Sequence, residues 1–99
     1  MTAVEFQAEA AALRLSLRRL LILARLAGVT PETREQLTAM RRDSEEGLAK
    51  MRAERAKTLR GNLAPPQRAL RLSVVAAHSS LLVDSISQLD AVLRAEVAA

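Results

Sequence analysis

The chain reads as all-α, with three long helices in an antiparallel helical bundle or an extended helical hairpin with coiled-coil-like packing. Three observations predict it. Nineteen Ala and seventeen Leu stand against three Gly, three Pro and a single aromatic residue, Phe6, so helix formers dominate and no strand-rich segment remains. Two apolar ladders step by threes and fours near the two ends of the chain, the spacing that packs helix on helix. Two clusters of turn residues, Gly28-Val29-Thr30-Pro31 and Gly61-Asn62-Leu63-Ala64-Pro65-Pro66, divide the sequence into three segments.

The first helix is expected over about residues 3–27. Its ladder, Phe6, Ala10, Leu13, Leu17, Leu20, Ala24 and Ala27, keeps one continuous face. Gly28 can take the left-handed conformation that closes a helix. The second helix, about 31–60, starts at once: Thr30 offers a capping hydroxyl, Pro31 suits the first helical position, and Glu32 and Glu35 favour the positive end of the dipole. Its apolar stripe is narrow, made of Leu37, Met40, Leu48, Met51 and Leu59. Leu37, Leu48 and Leu59 lie eleven residues apart, a period that suits an almost straight helix. The rest of that helix is charged, with Arg41 and Glu45, Arg42 and Glu46, and Lys50 and Glu54 at spacing four, and Gly47 counts as a mild weak point. Proline restricts the residue before it, so the third helix is expected from about 66 to 96, with the ladder Leu72, Val75, Ser79, Leu82, Ile86, Leu89 and Leu93.

Ninety-nine residues suit one helical domain spanning 1–99. With no Cys and one His, neither a disulfide framework nor a thiolate or histidine-rich metal site is available, and no cofactor is expected. Glu5 and Glu9 lie where a secretory or mitochondrial leader carries basic residues. The longest unbroken apolar run, Leu20 to Ala24, falls far short of a bilayer, so no membrane span and a cytoplasmic location are expected. The net charge is +4, with Arg supplying thirteen of fifteen cations. Guanidinium groups favour two-pronged contacts with carboxylate or phosphate.

Apolar surface is unevenly shared among the helices. The first carries a second row, Leu15, Ile22 and Leu26, with Leu21 and Leu23 filling the arc between, and the second helix offers too little to cover it. A helix that is apolar around most of its circumference seeks further partners. The expectation is therefore a non-catalytic protein-protein interaction module, an adaptor, assembly factor or small secretion-type chaperone, binding a partner protein or forming a homo-oligomer. Its candidate partner-binding rows are Leu15, Ile22 and Leu26, and on the third helix Val74, Leu81 and Val92. In size and helicity alone it is similar to bacterial export chaperones.

Catalysis finds no constellation. His78, Ser80 and Asp84 share one helix at offsets that point apart, so they do not converge as a hydrolytic triad. Histidine phosphotransfer proteins place Lys and Gly three and four residues after their histidine, where this chain has Leu81 and Leu82, so His78 reads as a polar residue at the edge of a seam. Ser79 interrupts the last ladder, either setting register or bonding its own helix. Arg14, Arg18 and Arg25 share one face of the first helix, a solvated stripe or a contact for an acidic surface.

Leu23 to Thr33 resembles the segment joining the two helices of helix-turn-helix repressors, with small Ala24, turn Gly28, apolar Val29 and capping Thr30 in order. Arg34 departs from that pattern, standing where the motif buries an aliphatic residue, and Leu37 fits again. The resemblance implies an alternative function, a basic DNA-binding protein using residues 20–40, with Thr33, Arg34, Arg41 and Arg42 as nucleic-acid contacts.

Overall fold

The protein is an all-α assembly of three helices, seen in a computed structural model that describes residues 3–98, with side chains described for residues 4–95. Helix α1 spans Ala3–Ala27, α2 Pro31–Arg60 and α3 Pro65–Ala98. Among the described residues there is no strand. The molecule is elongated, about 52 × 22 × 15 Å.

Both connections follow from local chemistry. Gly28 sits at φ +74°, a left-handed geometry that other residues adopt at a cost. Thr30 is the extended cap of α2, and its Oγ1 accepts from the Thr33 amide at 3.2 Å while its carbonyl accepts from the Arg34 amide at 2.8 Å. At the second connection α3 starts at Pro65, one residue earlier than the proline pair suggests. Its first two positions need no intrahelical N–H, so both prolines are accommodated, and the first amide bond runs from Arg68 to the Ala64 carbonyl at 2.9 Å. The Arg68 guanidinium also donates to the carbonyls of Gly61 and Leu63, pinning the corner.

Helices α2 and α3 form the tightest pair, an antiparallel hairpin, and α1 lies across both more lightly. The hairpin seam differs from the expected stripes. On α2 the buried residues are Thr33, Leu37, Ser44, Met51 and Thr58, a seven-residue repeat from Leu37 onward, while Leu59 of the eleven-residue series is exposed. On α3 the buried residues are Val75, His78, Leu82, Ser85 and Leu89, so His78 and Ser85 take the places expected for Ser79 and Ile86. Large and small residues are matched across the seam: Leu82 fills the space over Gly47, where a Cβ would stand only 3.3 Å from Leu82 Cδ1. Burial of the small polar groups is partly satisfied: Ser85 donates to the Leu81 carbonyl at 3.0 Å and Thr58 to the Glu54 carbonyl at 2.8 Å.

The ladder of α1 closes two clusters over this hairpin. Phe6 packs with Met51, Val75 and Leu82, and Leu17 packs with Leu37 and Leu89. Since Phe6 lies at the level of Met51, the last turns of α2 and the first of α3 project beyond α1 as a two-helix tip. From Pro65 to Ala95, α3 is also long and apolar enough by composition to pass for a membrane span, with 22% of the relevant 18-residue window buried. That average qualifies the expectation drawn from unbroken runs. The same stretch carries His78 and Ser85 in the seam and ties Asp90 to Arg41 of α2.

Candidate protein-binding groove

Helix α1 sits on the hairpin as a ridge with a furrow on either side. The furrow between α1 and α3 is the longer. Its central section, about 680 Å³, has Arg14, Arg18, Ile22 and Arg25 on one wall and Leu81 and Asp84 on the other. A section of about 330 Å³ continues past Phe6, Val74 and His78, sharing Arg14 and Leu81 with the centre. A third, of about 520 Å³, continues past Val29 and Val92, sharing Leu21, Arg25 and Gln88. From Val74 to Val92 the groove follows α3 for about 27 Å at 1.5 Å per residue, about five helical turns.

The structure thus brings four of the six candidate residues into one site. Val74, Leu81 and Val92, each half-buried, line the α3 wall, and Ile22, 46% exposed, lines the central section with Leu81 from the α1 side. Val74 and Val92 also pack on the two core clusters, so their role is shared between core and groove. Leu15 and Leu26, 58% and 80% exposed, are absent from this lining and form the outward crest of α1. Asp84, weighed in the sequence only beside His78, and Gln88, a polar residue within the α3 row, rim the groove on the α3 side. The seven-residue spacing of Val74, Leu81 and Gln88 is the signal that places Gln88 there.

The second furrow, between α1 and α2, encloses about 660 Å³ and is lined by Leu13, Leu20, Leu23, Met40 and Leu82, with Arg19 and Asp43 at its edges. It carries one charge of each sign, whereas the α1 rim of the first groove carries three cations.

The residues of the nucleic-acid alternative are dispersed in their commitments. Thr33 is buried and bonded to Thr30. The Arg41 guanidinium grips the Asp90 carboxylate with two nitrogens, one of them at 3.3 Å from Oδ2, and reaches Glu45 at 2.8 Å. Its guanidinium holds the Asp90 carboxyl below the usual carboxylate range, and those two acids hold Arg41 in its charged form. Arg34 and Arg42 are exposed on α2. A different cationic surface emerges at the hairpin tip, where residues 50–71 carry seven cations against one acid, Glu54. That excess of six exceeds the net charge of the whole chain.

Among the described residues, no group of His, Asp and Glu is arranged to hold a metal ion. His78 is buried against Phe6, ring centres 5.4 Å apart, and its Nδ1 has no protein partner. Comparison with protein families, curated proteins and solved structures finds no match to this chain.

Proposed function

We propose that this protein is a non-catalytic helical interaction module that receives a partner helix in the α1–α3 groove, in the manner of an adaptor, assembly factor or small chaperone. The observation that carries the reading is the continuity of the groove: half-buried Val74, Leu81 and Val92 line its α3 wall along five turns, with Ile22 on the α1 side of its central section. A groove of that length between two helices is what a third helix fills in a bundle. Covering large aliphatic side chains there gains about 1.5 to 3 kcal/mol for each one fully buried. Crosslinking with protein from the native organism, using the wild type beside an Ile22→Asp, Leu81→Asp variant, tests it. A partner held by the wild type and lost by a folded variant supports the reading, and identical crosslinks from both would refute it.

A second reading is favoured by the charge concentrated at the hairpin tip. Lys50, Arg52, Arg55, Lys57 and Arg60 late in α2, with Arg71 of α3, form a cationic end suited to a nucleic-acid backbone, separate from the contacts expected at Thr33, Arg34, Arg41 and Arg42 earlier in α2. A mobility shift with mixed duplex DNA at low and moderate salt tests it. No shift at either salt removes the nucleic-acid reading.

A further inference from the structure

We infer that the helix received by the α1–α3 groove is acidic, amphipathic and foreign to this chain, an inference that rests on the groove reading above. Residues 10–27 of α1 contain four Arg and no acid, and three of those Arg, Arg14, Arg18 and Arg25, stand along one rim of the groove. The opposite rim offers Asp84 as its only charge in the central section. A helix seated between them meets three guanidinium groups on one flank, whose planar forks pair best with carboxylates.

None of the three described helices meets that description. Counted over their spans, α1 and α2 each carry a net charge of +2 and α3 is neutral. The acids of α2, Glu32, Glu35, Asp43 and Glu46, share a face, but the apolar stripe of that helix is buried in the hairpin seam, so a second folded copy offers no acidic edge with an aliphatic face beside it. An anionic bilayer supplies the right charge with the wrong shape, since the apolar residues of the site line a furrow and a lipid surface covers a convex face. The α1–α2 furrow, with Arg19 balanced by Asp43, makes no comparable demand. The occupant that fits is an amphipathic helix of about five turns, with aliphatic residues against Ile22, Leu21 and Leu81 and Glu or Asp along the edge facing α1. Seated there it completes a four-helix arrangement with α1, α2 and α3.

Two dye-labelled synthetic peptides test this on the full chain. They share one leucine heptad pattern, and one carries Glu at every flanking position where the other carries Lys. At low salt the Glu peptide is expected to bind about ten-fold more tightly, a preference that shrinks as salt is raised. The triple variant R14Q/R18Q/R25Q, all three sites exposed, is expected to keep its helicity and melting temperature and to lose the preference. Equal binding of both peptides would overturn the acidic assignment and leave the groove reading standing. Binding of neither would overturn both. Attachment to phosphatidylglycerol-containing vesicles in the absence of peptide binding would assign the cationic rim to lipid. Sedimentation showing self-association that Leu81→Asp abolishes would assign the groove to a second copy.

Discussion

Gly47 of α2 lies directly against Leu82 of α3, with the site of its missing Cβ only 3.3 Å from Leu82 Cδ1 and 3.5 Å from Cδ2. Here a large side chain of α3 occupies the space over a residue of α2 that has no side chain. Replacing Gly47 with Ala gains about 1 kcal/mol of helix propensity and asks the tip of Leu82 to yield a few tenths of an ångström. Leu82 borders the α1–α2 furrow and has room to yield, so Gly47→Ala is expected to fall within about 1 kcal/mol of wild type by urea unfolding. Gly47→Leu wedges the seam apart and is expected to cost about 1 to 3 kcal/mol. Equal stability of the two variants would mean the helices do not meet here.

The buried imidazole of His78 leaves Nδ1 without a protein partner, and an unmet buried polar atom costs about 1 to 3 kcal/mol. His78→Leu restores an aliphatic seam residue between Val75 and Leu82. A rise in stability of about 1 kcal/mol is expected in thermal melts, and a fall would show that the imidazole is better satisfied than its surroundings indicate.

Arg41 and Asp90 join α2 to α3 near the end of the hairpin that α1 covers with Leu17. Because Arg41 lowers the Asp90 pKa on folding, the pair stabilises the protein above the ordinary carboxylate pKa and loses that contribution as pH falls through the folded value. Asp90→Asn is expected to melt lower than wild type at pH 7, with the gap closing in acid below the ordinary carboxylate range. A gap that stays constant from neutral pH to well below the ordinary carboxylate range would count against the ion pair as its source.

Leu37 and Leu26 are both leucines on apolar rows, with 0% and 80% of their surface exposed. Leu37→Ala is expected to cost about 2 to 5 kcal/mol, whereas Leu26→Ala is expected to stay within about 0.5 kcal/mol of wild type for the isolated chain. A large loss at Leu26 would indicate that the crest of α1 is covered in solution.

The division into three helices follows from short-range chemistry and was legible before any packing was known. Thr30 and Pro31 start α2 wherever the rest of the chain goes, Gly28 ends α1 for the same reason, and the ladder from Phe6 to Ala24 has one periodicity and so one face. The surplus of Leu15, Ile22 and Leu26 on α1 was also legible, because those three leave the core ladder at a fixed angle. The seam between α2 and α3 was not. Leucine spacing favoured Leu37, Leu48 and Leu59, and the hairpin instead buries Ser44 and Thr58 in register with Leu37 and Met51.

Local sequence therefore determined where each helix begins and ends and which residues are oily enough to want cover. Tertiary structure decided which of those residues obtained it, since the register of α2 on α3 seats Ser44 and Thr58 in the seam and leaves Leu59 outside it. It also decided that the aliphatic row of α3, the arginine edge of α1 and Asp84 share one groove. The arginines belong to α1 and the other two to α3, and a charge gains meaning for binding only when folding places another surface opposite it.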